Sequence, residues 1–435
     1  MKFLFVFAAL AAISSAGCAQ TKPWPEPVKT PVKNHPIPRG TFIQEYLVRQ
    51  WTDAKWQAEY NAMKAVGMDI MIFGSAADSK KKVTYYPPSV PGYSLADGYG
   101  DVIDACLRNA KKCGVKVFIG LNFSSDWWNK GVSDPEWLYA QMREGNLLAD
   151  DLYAKYHGKY PDTFAGWYWV WEVDNANYNR ADQRDTLAKA LDINVSHVHS
   201  LDANMPVMLC PFMNYRLGSP EQYRDTWAWV FAHCSLGQGD IFAPQDCVGA
   251  GGTTIDNFVP WLAALKQAVD SKPGLRFWTD AETFDQADWT AAPLNRFIRQ
   301  LKGAQPYVEH SVTFAYSHYY SPVSCAPGWQ KTLADYVRTG KLETQPPTPP
   351  TYLKAARGTG RIALTWNKSK DNVGVASYAV LRDGVRIARI QASKTSPIPA
   401  AAFTDTSAPA GEVRYAVQAC DFAGNSSAPA EVTVH

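Results

Sequence analysis

Two glutamates stand where a carboxyl group could act on a substrate. Glu172 follows the run 166–171, and Glu282 follows the run 276–281. Both runs are rich in bulky residues, which is typical of buried strands, so each glutamate is expected at a strand end. A pair of carboxyl groups can supply a general acid together with a nucleophile or general base. Burial among aromatic neighbours would raise the pKa of the acid.

The elements that would position these glutamates alternate along the chain. Longer amphipathic stretches, such as 51–66, 99–113, 184–200 and 258–269, separate short strand-like runs, which is typical of βα units around a parallel sheet. The eight runs are 41–45, 69–73, 116–121, 167–173, 206–211, 240–244, 276–281 and 311–316. They predict an α/β fold, a (β/α)₈ TIM barrel, with its active site at the carboxyl ends of the strands. A doubly wound open sheet is the alternative, but no G-x-G-x-x-G follows the first strand.

The positions of the two glutamates in this barrel resemble those of a large superfamily of retaining glycosidases. That superfamily has one catalytic carboxyl group at the end of strand four and another at the end of strand seven. The resemblance implies that Glu172 is the acid/base and Glu282 the nucleophile of a two-carboxylate mechanism. The superfamily commonly has Asn before its acid/base, whereas this chain has Trp171. An ion pair with an arginine at the barrel rim is the alternative role for either glutamate.

Polar or aromatic side chains follow nearly every predicted strand and form a candidate substrate site. The candidates are Gln44, Glu45, Asn122, Trp127, Trp128, Trp171, Asp174, Asn214, Tyr215, Gln245, Asp246, Asp280, His318 and Tyr320. Amide, carboxyl and imidazole groups suit sugar hydroxyls, and indole rings suit stacking on sugar faces. Packing within a loop is the alternative for each. The Gly-Ala-Gly-Gly run at 249–252 is interpreted as a flexible loop.

Several runs in the body carry a second resemblance. They are 40–44, Trp51 and Trp56 before 63–69, 114–121, and 166–172. These runs resemble a family of exported Bacteroidetes barrel proteins of unknown function that are grouped with glycoside hydrolases. The resemblance covers about residues 39–340 and implies hydrolysis of a polysaccharide or oligosaccharide. A non-catalytic glycan-binding surface lipoprotein is the alternative. A serine hydrolase is not supported, because no G-x-S-x-G occurs, and the chitinase-type D-x-D-x-E is also absent.

Residues 352–435 contain strand patterns only, and the proline-rich linker 344–351 separates them from the predicted catalytic domain, 39–343. The runs L-T-W, D-N-V-G-V-A-S-Y-A-V-L-R-D-G and Y-A-V-Q-A-C-D-F-A-G-N-S-S resemble fibronectin type III modules attached to bacterial polysaccharide-degrading enzymes. The resemblance implies an all-β sandwich with Trp366 in its core and Tyr415 near its corner position. Such modules are usually spacers, and weak sugar binding is the alternative.

The amino terminus predicts export. Lys2, an apolar run at 3–13 and small residues after it form a signal peptide, 1–19. Ser15-Ala16-Gly17-Cys18 resembles a lipobox, so Cys18 is the candidate lipid attachment site; cleavage after Ala19 is the alternative. Residues 20–38 form a proline-rich tether. We expect an outer-membrane or cell-surface lipoprotein, or a periplasmic or secreted protein.

Charge and cysteine usage narrow the expected partners. The formal net charge is +2, which gives no argument for nucleic acid binding. No C-x-x-C or H-E-x-x-H occurs, so we predict no metal and no cofactor. The expected partner is a carbohydrate substrate, with membrane contact only through Cys18 and a monomeric chain. Cys106 and Cys113 lie too far apart to bridge on one continuous helix, and the pairing of the other cysteines stays open.

Overall fold

The computed structural model describes residues 35–435. The predicted signal peptide 1–19, Cys18 and residues 20–34 of the predicted tether lie outside the described residues. Within residues 35–435, no helix has the length and apolar character needed to span a bilayer.

Eight parallel strands close into a barrel. They are β1 (Gly40–Ile43), β2 (Ile70–Asp78), β3 (Lys116–Phe123), β4 (Phe164–Trp169), β5 (Val207–Leu209), β6 (Ile241–Phe242), β7 (Arg276–Glu282) and β8 (His310–Phe314). Each strand pairs with the next, and β1 pairs with both β2 and β8. The predicted (β/α)₈ barrel is therefore confirmed, and the alternative of an open sheet is wrong.

A helix follows each barrel strand, and short helices follow β1 and β8 directly. The helices are α1 (Glu45–Val48), α2 (Asp53–Ala65), α3 (Val102–Cys113), α4 (Pro135–Leu152), α5 (Ala181–Leu201), α6 (Pro220–Ala232), α7 (Phe258–Asp270), α8 (Leu294–Ala304), α9 (Tyr316–Tyr319) and α10 (Pro327–Thr339). Side-chain caps begin several of them: Thr52, Asp101, Asp134 and Ser219 each accept a backbone N–H of the first turn.

Aromatic rings fill the middle of the barrel. The Phe42 ring on β1 lies 5.2 Å from the Tyr168 ring on β4 and 5.9 Å from the Phe314 ring on β8. Because β1 and β4 are not neighbours in the sheet, their rings can meet only inside the barrel. Strand side chains alternate between the two faces of the sheet, so Trp167 and Trp169 point outward to the helices.

The carboxyl-terminal region is an all-β sandwich, as predicted. One sheet contains β9 (Thr351–Gly358), β10 (Arg361–Asn367) and β13 (Ala402–Asp405); the other contains β11 (Val375–Arg382), β12 (Val385–Gln391), β14 (Val413–Asp421) and β15 (Ala430–Val434). Trp366 and Tyr415 are buried in a core of the sandwich's own. The seven cysteines within residues 35–435 are free thiols.

The sandwich is docked on the barrel. Phe422 packs edge-on against Trp329 of α10, with ring centroids 4.9 Å apart. A Cβ at Gly328 would lie 2.2 Å from the Phe422 ring, so this contact needs glycine. The backbone N–H of Asn295 on α8 donates to the Ala423 carbonyl at 2.8 Å. Phe422 therefore belongs to the core of the barrel although the proline-rich linker precedes the sandwich.

Candidate active site

Glu172 lies half-buried just beyond the end of β4. The Gln245 side-chain amide donates to Glu172 Oε1 at 3.3 Å and to the Cys210 carbonyl at 3.0 Å. The Trp127 indole donates to the backbone carbonyl of Glu172 at 2.9 Å. Burial raises the pKa of Glu172 to about 7, and the Gln245 hydrogen bond opposes part of that shift. This carboxyl group can hold a proton near neutral pH, as a general acid must.

Glu282 ends β7 and is only 1% exposed. Its Oε2 accepts the backbone N–H of Ala250 at 2.7 Å. A Cβ at Gly249 would lie 2.3 Å from the Phe284 carbonyl and 3.0 Å from Glu282 Oε2, so this close approach needs glycine. The loop 249–252, interpreted from the sequence as flexible, thus packs on Glu282 and binds it through the Ala250 N–H.

Asp246 adjoins Glu282 and is equally buried. Burial, followed by the charge of Asp246, raises the pKa of Glu282, while the Ala250 N–H favours the ionised form. Burial also raises the pKa of Asp246, and the Gln300 side-chain amide opposes this by donating to Asp246 Oδ2 at 2.6 Å. Two such carboxyl groups resist being ionised together, so a change at one must alter the pKa of the other.

Asp280 completes this group of carboxyl side chains. Burial raises its pKa, and the charges of Glu282, Asp246 and Glu172 raise it further. Because Glu172 and Glu282 both act on Asp280, carboxyl groups from the ends of β4 and β7 occupy one region of the barrel. Asp280 Oδ1 is buried and has no hydrogen-bond partner in the described part of the chain. The partners of the other three are amides, and no lysine or arginine in residues 35–435 forms an ion pair with any of the four.

Exposed aromatic rings lie on four alternate loops at the carboxyl ends of the strands. Tyr46 follows β1, Trp128 follows β3, Tyr215 follows β5 and Trp289 follows β7. Their exposed fractions are 50%, 45%, 38% and 41%, respectively. Alternate loops surround the mouth, so the rings are distributed around it. Exposed rings around a concave polar site are suited to stacking on flat apolar surfaces of a ligand.

Residues 39–326 match a family described as a domain of unknown function, DUF4434. This chain belongs to the DUF4434 family. The expected membership of a barrel family of unknown function is confirmed. No curated protein matches the chain.

Three solved structures are similar to this chain to different degrees. A putative alpha-L-fucosidase from Bacteroides thetaiotaomicron has 21% identity and a TM-score of 0.58, covering 75% of this chain and 98% of its own. The endo-1,4-beta-mannanase of Rhizomucor miehei has 12% identity and a TM-score of 0.44, covering 67% and 89%. Chitinase ChiA74 of Bacillus thuringiensis has 13% identity and a TM-score of 0.40, covering 92% and 84%. The first likeness shows that this DUF4434 chain has a fold also found in that protein.

His318 joins the loops after β1 and β8 in this DUF4434 barrel. The backbone N–H of Gln44 donates to His318 Nε2 at 3.3 Å, and the Tyr46 hydroxyl lies 3.4 Å from Nδ1. Burial lowers the pKa of His318 to about 4, so its ring is neutral near pH 7. Glu45 is buried beside this contact, and burial raises its pKa to about 7.

Other predicted residues shape the loops around Glu172. Trp171 is 2% exposed and packs against Trp127, so both rings are buried, whereas Trp128 is 45% exposed. Asp174 Oδ1 accepts the backbone N–H groups of two residues in its own loop. The backbone N–H of Asn214 donates to Asn175 Oδ1 at 2.7 Å, which joins the loops after β4 and β5.

Two predicted substrate residues point away from the mouth, so their prediction is wrong. Asn122 donates to the Gln141 carbonyl on α4 at 3.2 Å and is fully buried. The Tyr320 hydroxyl donates to the Ala292 carbonyl at 2.6 Å, and its ring packs on Trp329. Both side chains lie on the outward face, where barrel and helices pack together.

Sequence reasoning missed three residues of this region. Tyr168 lies inside the barrel, and its even spacing from Glu172 could have indicated a shared face. Cys210 at the end of β5 is close enough for the charges of Asp280 and Glu172 to raise its pKa, after burial. Trp289 stands seven residues after Glu282 in the same loop, which is the signal that could have found it.

Proposed function

We propose that this DUF4434 protein is a glycoside hydrolase acting on a polysaccharide or oligosaccharide. The observation that carries the proposal is the set of buried and half-buried carboxyl groups from the ends of β4 and β7, none of which forms an ion pair within residues 35–435. A carboxylic acid with a pKa of about 7 beside a second carboxyl group is the chemical requirement for cleaving a glycosidic bond.

The proposed mechanism is retaining. Glu172 donates its proton to the glycosidic oxygen as the bond to the anomeric carbon breaks, and Glu282 attacks that carbon to form a glycosyl ester. Glu172 then removes a proton from water, which attacks the same carbon and releases Glu282. Burial and the charge of Asp246 raise the pKa of Glu282, so attack uses the ionised fraction that remains, and the Ala250 N–H stabilises that form. Gln245 and Trp127 hold Glu172 in position.

The surrounding groups fit a sugar ligand. Trp128 and Tyr215 supply exposed rings, and Asp280 Oδ1 is an acceptor that lacks a partner within residues 35–435. A sugar hydroxyl would satisfy Asp280, because a buried polar atom without a partner carries a desolvation cost. Because Nε2 of neutral His318 accepts the Gln44 N–H, its Nδ1 carries the ring proton and can donate a hydrogen bond.

Two further assignments are proposed with this function. The sandwich is a fibronectin type III-like module, supported by its three-stranded and four-stranded sheets and by the buried Trp366 and Tyr415. Export by the signal peptide 1–19, with lipid attached at Cys18, is supported by the sequence pattern. Export would place the barrel outside the cytoplasm, and we propose a monomeric enzyme that is surface-attached or secreted.

A direct assay tests the function. The purified protein is incubated with 4-nitrophenyl glycosides, including the α-L-fucoside, and with soluble xylan, mannan and xyloglucan. We expect hydrolysis of at least one substrate, with NMR showing first release of the anomer that retains the original configuration. If the opposite anomer is released first, the mechanism is inverting, and Glu282 would act as a general base and not as a nucleophile. Binding of a polysaccharide without hydrolysis would instead identify a glycan-binding protein.

A further inference from the structure

A small hairpin extends β7 beyond Glu282 and carries an exposed tryptophan. Phe284–Asp285 pairs antiparallel with Thr290–Ala291, and Trp289 lies at the turn. The Trp289 ring stacks on the Phe284 ring, with centroids 5.5 Å apart and planes 7° from parallel. Trp289 has a φ of 52°, a left-handed conformation that is uncommon for a bulky residue and persists only where surrounding contacts impose it.

The hairpin is continuous with the candidate active site. The Phe284 ring also stacks on Tyr319, with centroids 5.6 Å apart, and the charge of Glu282 contributes to the raised pKa of Tyr319, after burial. The backbone N–H of Gln286 donates to the Gly249 carbonyl at 2.9 Å, in the loop that packs on Glu282. Trp289 therefore lies at the rim, with the Phe284 side chain between it and the carboxyl groups.

The sandwich domain holds this hairpin from the other side. Arg389 on β12 has a side chain that is 13% exposed and forms ion pairs with Asp285 at 3.1 Å and Asp288 at 3.4 Å. It also donates to Thr290 Oγ1. Gln391, two residues along the strand, accepts the Ala291 N–H at 3.2 Å and donates to the Ala291 carbonyl at 3.3 Å. Both flanks of the turn that bears Trp289 are thus bound by β12.

We propose that Trp289 is a sugar-stacking residue of a rim subsite and that Arg389 and Gln391 position it. The sandwich then completes the substrate site and is more than a spacer. The inference rests on the proposed glycoside hydrolase function and adds a chain-length preference to it. Because Phe284 separates Trp289 from Glu282, the ring would contact sugar units beyond the one being cleaved. A polysaccharide gains from this contact, whereas a monosaccharide glycoside does not.

Kinetics with matched variants test the stacking role. Trp289→Asn removes the ring and suits the left-handed backbone, since asparagine tolerates it. Trp229→Ala is the control, because Trp229 is 38% exposed on α6, stacked on His233. For the polysaccharide that wild type hydrolyses, we expect W289N to raise KM about 5–10-fold, the range of one aromatic contact. The rise in KM should be smaller for the 4-nitrophenyl glycoside, which has no sugar unit at the rim, and W229A should match wild type throughout. Equal KM in W289N and wild type would overturn the stacking role.

A spectroscopic test isolates the positioning role from any substrate. The full chain is labelled with 5-fluorotryptophan, and the ¹⁹F resonance missing from W289N is assigned to Trp289. We expect Arg389→Met to shift or broaden that resonance and to raise KM for polysaccharide, whereas the exposed Arg414→Met in the same domain changes neither. An unchanged resonance in R389M would overturn the positioning role. If the wild-type protein neither hydrolyses nor binds any tested substrate, both the proposed function and the stacking role are wrong. The ¹⁹F result still decides whether Arg389 positions Trp289.

Discussion

Two ion pairs at the amino-terminal end of the barrel are partly exposed, in contrast with the carboxyl groups at the mouth. Arg39 forms an ion pair with Asp69 at 3.2 Å, and Arg276 forms one with Glu309 at 2.8 Å. Both guanidinium groups also lie over the Trp278 ring, at 5.5 and 5.1 Å from its centroid. Water reaches these charges, so each pair contributes little and costs little.

The mouth has the opposite arrangement. Asp280 and Glu282 are almost fully buried, and Glu172 is half-buried. The carboxyl groups of Glu172 and Glu282 accept hydrogen bonds from amide groups. Burying a carboxyl group without a cation opposes folding and raises its pKa. A fold that needed only stability would pair or remove these groups, as the other end does. The grouping of several such carboxyl side chains at the mouth supports the proposed catalytic role of this end of the barrel.

Removing the mouth carboxyl groups should produce the largest effect. Glu172→Gln and Glu282→Gln keep side-chain shape but cannot transfer a proton or attack carbon. We expect kcat/KM to fall about 10³-fold or more in each, since positioned acid–base groups contribute about 10²–10⁴-fold. Thermal midpoints should stay near that of wild type or rise, because each change removes an ionisable group that opposes folding.

Asp69→Asn at the opposite end is the matched control. It breaks the ion pair with Arg39, and we expect full activity with a loss of at most about 1 kcal/mol of stability. If E282Q remained active while its thermal midpoint fell sharply, Glu282 would be a structural residue. In that case, the contrast between the two ends would not identify the active site.

The pH dependence sharpens the contrast within the mouth. The charge of Asp246 raises the pKa of Glu282, so Asp246→Asn should lower that pKa. In the profile of log kcat/KM against pH, we expect the limb belonging to Glu282 to move to lower pH. The limb belonging to Glu172, near pH 7, should stay in place because Asp246 does not contribute to its shift. Movement of both limbs together would show that they belong to one coupled unit.

The barrel could be predicted from the sequence because strands and helices have different hydrophobic periods, and each period can be recognised in a short stretch of the chain. Glu172 and Glu282 could be located because strand ends follow from those same runs. Which face a side chain occupies depends on register, since a shift of one residue turns it to the other face. Asn122 was misplaced because β3 continues to Phe123, so this residue lies within the strand and not in the loop after it. Trp289 could have been found from its short spacing after Glu282, but the contact between its hairpin and Arg389 could not, because Arg389 comes about 100 residues later in the chain.

Glu59 on α2 is a buried carboxyl group outside the proposed active site, so its substitution should have the smallest effect on activity. It is fully buried, its Oε2 accepts the Ser321 hydroxyl, and its Oε1 has no partner within residues 35–435. Burial raises its pKa from 4.5 to about 7. The folded state therefore holds this proton more tightly than the unfolded chain, and the associated stability is complete below about pH 4.5 and lost as pH rises through about 7.

Glu59→Gln cannot ionise and should escape that loss. We expect E59Q and wild type to melt at similar temperatures near about pH 5, with E59Q more stable by on the order of 2–3 kcal/mol at about pH 8. Its kcat/KM should equal that of wild type, because Glu59 lies between α2 and the segment after α9. Calorimetry at the two pH values and one activity assay decide the matter. If E59Q instead lost activity as E172Q does, a buried carboxyl group without an ion pair would be functional in the helical layer as well. The carboxyl groups at the mouth would then not be distinguished from the others by their burial.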